Sequence, residues 1–331
     1  MRCVLPLSCR NVAAGVGVLL VLARSPRPVD ARPQTAVPES AVVQDAIELD
    51  HLMTRFFAST DEYEKTFRNL VAEETKTIEV YGASGEVEKR RQIVSDLLVY
   101  YSSRDGREAT TEYRDARSVD GKAVEKRSER ALKLLANASK AASLEKELET
   151  INRETERYEF SRHLRGSTIG QGGLPKRRRE AFQFESVARE QIAGHDVVVL
   201  DYRQTAPIPG YESRLPVPKE LGKPSILARG RLWIDAQTGE LWRDVWELVV
   251  PHAATPEPLV MIHAERAFGP SRFGILVPER IVVDWLMRFS YPKTGRPSFA
   301  LSERTTFTYG AFKRFDVATD ENIRVPGAHD R

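Results

Sequence analysis

Apolar residues recur at helical spacing from Val43 to Leu70, with Ile47, Leu52, Phe56, Tyr63 and Phe67 on one stripe and charged residues between them. This pattern predicts an amphipathic helix. The period then changes to two. Ile93, Ser95, Leu97, Val99 and Tyr101 alternate with Val94, Asp96, Leu98 and Tyr100, a half-buried strand. Arg104-Asp105-Gly106 turns it, and residues 112–119 return to Asp120-Gly121 as a β-hairpin. A second helical pattern runs from about 124 to 158, with Ala131, Leu134, Leu135, Ala138, Ala142, Leu148, Ile151 and Tyr158 on one face and no Gly or Pro inside. At 1.5 Å per residue it would be about 50 Å long, either a lid over a sheet or a helix broken near Asn137. Residues 165–173 (RGSTIGQGG) read as a loop.

Beyond residue 180 the chain reads as strand after strand, at 182–187, 195–204, 226–234, 241–250, 259–268, 275–287 and 299–315. Turn residues and no helical period separate them, so the sheet is expected to be antiparallel. With the earlier pair this gives about nine strands, enough to curl or close. The sharpest hairpin is Trp233 to Trp242, where Ala236 to Gly239 suits a type I turn with Gly239 at positive φ. A regular register would set Asp235 opposite Glu240, Trp233 opposite Trp242, Arg231 opposite Asp244 and Arg229 opposite Trp246. The expected fold class is α+β, a curved antiparallel β-sheet or incomplete barrel covered by N-terminal helices. One connection, 206–225, carries Pro207, Pro209, Pro216, Pro218 and Pro224 and reads as a stiff cover or surface excursion.

Charge and cysteine usage bear on compartment. Of 50 basic and 47 acidic residues, Arg2, Arg10, Arg24, Arg27 and Asp30 lie in the first 31, leaving 46 of each sign in residues 32–331. A neutral body gives no electrostatic reason to expect nucleic acid. The basic start is followed by an apolar run from Val12 to Ala23 and small-residue exits after Ala23 or Ala31, the order of a secretory signal peptide. The run is too short for the ~20 residues of a spanning helix. The expected organisation is signal peptide 1–31, linker 32–42 and a single domain 43–331, helix-rich over 43–170 and antiparallel sheet over 180–317, periplasmic or secreted and not membrane-spanning after cleavage. Both cysteines, Cys3 and Cys9, fall in the removable segment, so disulfides and thiolate chemistry are not expected in the mature chain.

Reactive-site patterns are sparse. Gly222-Lys223-Pro224-Ser225 and the Gly166–Gly173 tract do not make phosphate cradles, and no full nucleophile elbow occurs. His51, His163, His195, His252, His263 and His329 stand singly, without metal-ligand spacing. No cofactor, metal or catalytic residue is expected. Asn137-Ala138-Ser139 matches a glycosylation acceptor inside the long helical pattern. Lys176-Arg177-Arg178-Arg179 is the single concentrated basic run, suited to anionic headgroups more than to nucleic acid. Trp233, Trp242, Trp246 and Trp285 all fall in predicted strands. They read either as core or as the wall of an apolar cavity, and are the candidate ligand-binding residues.

Two segments resemble a known family. Arg229-Gly230-Arg231-Leu232-Trp233-Ile234-Asp235 through Glu240-Leu241-Trp242-Arg243, and Phe273-Gly274-Ile275-Leu276-Val277-Pro278, look like strands of the LolA/LolB-like periplasmic lipoprotein carriers. The stretch from Thr305 to Phe315 resembles the last strand of related exported bacterial proteins. The resemblance covers about 180–317. It implies an incomplete barrel closed by helices that holds lipid or a lipoprotein acyl chain without a cofactor, and it names no binding residue. The alternative from the residues themselves is a structural or protein-interaction module of the cell envelope.

Overall fold

The computed structural model describes residues 39–67, 70–104, 107–125, 141–160, 176–207, 217–222, 224–290, 296–314, 316–317 and 323–324. The expected signal peptide, most of the linker, the Asn137 acceptor, the 165–173 loop and the middle of the Pro-rich connection lie outside them. The first apolar stripe forms α1 (Glu39–Phe67). Its buried side is Leu52, Met53, Phe56, Phe57, Tyr63 and Phe67. Leu70 does not extend that helix; it opens β1 (Leu70–Tyr81). The alternation of β1 is hidden in the sequence because its inward positions after Ala72 are Glu74, Lys76 and Ile78, two of them charged.

The expected hairpin forms as β2 (Val87–Arg104) and β3 (Arg107–Val119), followed by the short β4 (Lys122–Ala123). Asp120 (φ +50°) and Gly121 (φ +76°) make the tight turn between β3 and β4. Val124 and Glu125 are not helical, and residues 126–140 of the second helical pattern lie outside the described residues. Its described part is α2 (Ala141–Thr155), which tightens into a 3-10 turn at Glu156–Tyr158. The C-terminal strands are β5 (Phe182–Ile192), β6 (His195–Gln204), β7 (Leu227–Asp235), β8 (Leu241–Val250), β9 (Leu259–Pro270), β10 (Leu276–Trp285) and β13 (Glu303–Arg314), with β11 (Arg288–Ser290) and β12 (Ser298–Ala300) as a small separate pair.

All large-sheet pairings are antiparallel, in the order β4-β3-β2-β1-β13-β10-β9-β8-β7-β6-β5. Eleven strands replace the expected nine, and the two additions are β1 and β4. Laid flat at ~4.8 Å per strand they would span about 50 Å. Yet Leu97 and Val99 on β2 share one apolar cluster with Leu200 on β6 and Phe182 on β5. The sheet curls around α1 to make this contact, and among the described residues it stays open, with β4 and β5 as its two end strands.

The β7–β8 hairpin keeps its expected turn but not its expected register. Asp235 N–H reaches Glu240 O (2.8 Å), and Gly239 takes φ +76°. A Cβ on Gly239 would lie 2.5 Å from the Arg55 carbonyl carbon, so glycine here also lets α1 sit against the turn. A bulge at Trp242 then shifts every later pair by one residue: Ile234 opposes Leu241, but Trp233 opposes Arg243, Leu232 opposes Asp244 and Gly230 opposes Trp246. Arg229 consequently pairs with Glu247 (2.7 Å) and Arg243 lies over Trp233 (4.8 Å), while Arg231 pairs with Asp201 (2.5 Å), its partner across the β6–β7 ladder.

One free edge of the sheet is sealed by side chains. Where β3 runs past β4, the Thr155 hydroxyl on α2 accepts the Ala116 N–H (3.0 Å) and donates to the Arg114 carbonyl (2.7 Å), while Asn152 accepts the Arg114 N–H (3.3 Å). A helix thus supplies the hydrogen bonds that a further strand would have made. Thr155→Val keeps the volume but leaves a buried N–H and C=O unmet, and is expected to cost about 2–3 kcal/mol in urea unfolding; a loss within error of zero would refute the seal.

Asp235 gives a pH dependence. Burial raises its carboxyl pKa, but the Thr238 and Gln237 N–H groups and the His195 ring outweigh this and hold it below the usual carboxylate range. Its contribution to stability is complete above that range and is lost as pH falls through the depressed value. Asp235→Asn should flatten this part of the acid-side decline in urea midpoint.

Candidate functional site

The concave face has three zones. Beneath α1 the hollow is filled by the protein's own side chains: Met53 and Phe56 meet Leu200, Leu232 and Ile234, all at 1% exposure or less.

The second zone is a belt of buried charge. Arg114 donates from Nε to Glu74 (2.8 Å) and from Nη2 to Glu74 (3.0 Å) and Glu112 (2.8 Å). Arg266 forks onto Asp244, with Nε to Oδ1 at 2.8 Å. Lys76 meets Glu159, beyond α2, at 2.6 Å. The Lys76 ammonium and the Arg114 guanidinium also lie 5.4 and 5.9 Å from the Phe307 ring centroid. Two phenols border the belt. Burial, reinforced by Glu112, pushes Tyr63 well above the ordinary tyrosine value. Burial and then Asp244 push Tyr202 up. Gly230 makes room for Tyr202, since a Cβ there would meet its hydroxyl at 2.7 Å.

The third zone is apolar and less completely covered. Met261, Ile262, Ala264, Val283, Trp285 and Phe307 form a buried patch on β9, β10 and β13. Trp246, Leu248, Met287 and Phe299 pack against it half-buried, as do Val217 and Leu221 from the Pro-rich connection and Ile226 just after it. Neither α1 nor α2 contributes to this patch among the described residues. Part of the connection is therefore its cover, resting on the 3-10 turn Lys219–Leu221.

The four tryptophans divide between two places. Trp246 and Trp285 share the apolar patch, and Trp246 also touches the cluster under α1. Trp233 lies elsewhere, with Arg243 over its ring and its indole N–H donating to Glu190 (3.0 Å). Trp242, at the bulge, packs 4.9 Å from the His195 ring. Sequence reasoning missed the charge belt and the patch partners Leu248, Ile262 and Phe299, because cross-strand neighbours are set by a register that pattern alone does not supply.

Other groups are accounted for. On the convex side His263 sits between Glu247 (3.1 Å) and Glu265 (3.3 Å), and these hydrogen bonds, Glu247 first, raise its pKa against the opposing effect of burial. Arg179 of the basic run is bonded to Asp50 (2.8 Å). Two open clefts of about 460 and 680 Å³ flank Phe184 on the exposed edge strand β5. Among the described residues no three His, Cys, Asp or Glu side chains converge as a metal site, and no helix is long and apolar enough to cross a membrane.

No family model and no curated protein matches the chain. Among solved structures it is similar to a DUF1329 family protein from Desulfovibrio piger, at 12% identity over 80% of this chain and 94% of that one, with a TM-score of 0.33. A putative outer membrane lipoprotein-sorting protein domain from Vibrio parahaemolyticus matches at 10% identity, 78% and 92% coverage, and TM-score 0.30. A LolA superfamily protein from Nitrosomonas europaea matches at 10%, 81% and 94%, and 0.28.

The belt makes a stability prediction. Arg266→Met strands Asp244 at 0% exposure and should cost about 3–5 kcal/mol, while adding Asp244→Leu should recover most of it. Chemical denaturation of the two variants checks this; a double variant as weak as the single one would contradict the pairing.

Proposed function

We propose that this is an exported, non-catalytic protein that binds an apolar ligand, a lipid or lipoprotein acyl chain, on the concave face of its sheet. The observation that carries the reading is the third zone, where Trp246, Leu248 and Phe299 are half-buried around Trp285 beside a proline-stiffened connection and no helix of the described residues covers them. Apolar lining beside a few polar groups is the usual make-up of such sites. Trp246 and Trp285 are the ligand-contacting tryptophans in this reading, and Trp233 and Trp242 support the fold around them.

A second reading, an interaction module of the cell envelope, draws on β5. Eight of its eleven residues are exposed, Val187 among them at 43%, and nothing like the α2 seal covers this edge among the described residues. The bulge between Ser186 and Ala188, with Glu185, Arg189 and Glu190 around it, opposes strand addition there. The apolar patch is therefore the better candidate.

Trp246→Ala is expected to weaken uptake of a fluorescent fatty acid about tenfold, the effect of ~1.4 kcal/mol of lost contact. Trp233→Phe should leave uptake unchanged. Equal affinities in these variants, or native mass spectrometry that finds the wild-type protein free of acyl chains and unable to take them up, would overturn the reading.

A further inference from the structure

Glu303 opens β13 on the concave face, opposite Val80 on β1 and Trp285 on β10. It is 6% exposed. Its carboxylate accepts one hydrogen bond, from the buried Thr305 hydroxyl at 3.3 Å. Among the described residues no Lys, Arg or His lies within ion-pair distance of it. The belt carboxylates behave otherwise: Glu74 and Glu112 have Arg114, and Asp244 has Arg266. A carboxylate has about four acceptor sites, and a buried one without a counter-ion is costly to keep.

Its position connects it to the apolar patch. Successive cross-strand partners run Glu303, Trp285, Ile262, Leu248 and Ala228, from β13 across β10, β9 and β8 to β7. Four strand spacings of ~4.8 Å make this row about 19 Å long, the scale of a long alkyl chain. One end is an acid beside an indole, and every other member is apolar. We propose that Glu303, at the Trp285 end of this row, is the head-group subsite for a cationic, ammonium-bearing amphiphile whose tail lies along the Ile262–Leu248–Ala228 part of the row. The ammonium supplies the missing counter-ion to Glu303. This rests on the apolar-ligand reading and deepens it by naming the head-group charge.

Three twelve-carbon amphiphiles separate the two ideas: dodecylammonium, dodecanol and dodecanoate, titrated below their micelle concentrations by native mass spectrometry and tryptophan fluorescence. Wild-type protein should bind dodecylammonium about tenfold more tightly than dodecanol, and dodecanoate most weakly. Glu303→Gln should remove the ammonium preference and keep dodecanol affinity, which also shows that the variant folds. If wild-type protein binds all three alike, or Glu303→Gln retains the preference, the head-group assignment falls while the apolar reading stands. If none of the three binds, both fall. The wild-type comparison decides the matter without any variant.

Discussion

A carboxylate withdrawn from water must meet a cation in good geometry or cost several kcal/mol, and that constraint organises the concave face. Glu74, Glu112 and Asp244 reach it from three different strands, and Arg114 and Arg266 are placed to neutralise them. The pairings work only at the observed register. A slip of one residue would turn these side chains to the convex face and apolar ones to solvent. Buried ion pairs here serve less as a source of net stability than as a condition fixing which strand positions face each other.

That condition divides the hollow. α1 fills one side with Met53 and Phe56, the paired charges occupy the middle, and the patch around Trp246 and Trp285 keeps the remaining side apolar. In the proposed reading, a polar boundary next to a partly covered greasy surface would give a ligand both a place to lie and a limit to how far it can enter. The two rims of the sheet are managed differently as well, one closed by Thr155 and Asn152 and the other left to a bulge and charges on β5.

Much of the fold was legible in the sequence, for identifiable reasons. The seven strands beyond residue 180 show because their turns carry Gly, Pro and Asp, and Gly239 marks its own positive φ. The helix ending at Phe67 shows through its spacing. β1 did not, because Glu74 and Lys76 stand where apolar residues were sought. The hairpin register was misplaced by one because a bulge at Trp242 leaves no compositional mark. The site was legible only as far as tryptophans in strands. That Trp246 and Trp285 share a patch and Trp233 does not depends on face and register, and that Glu303 adjoins Trp285 depends on where the last long strand inserts.

That insertion has a consequence for how the molecule is made. β13 lies between β1 and β10, joining partners such as Val80 and Glu303 that are more than two hundred residues apart in the chain. The two halves of the sheet therefore cannot be stitched together until almost the whole polypeptide exists, however early the β2–β3 and β7–β8 hairpins form. Completion is deferred to the end of synthesis. Until the last long strand arrives, the β1–β4 side and the β5–β10 side have no hydrogen-bonded seam between them.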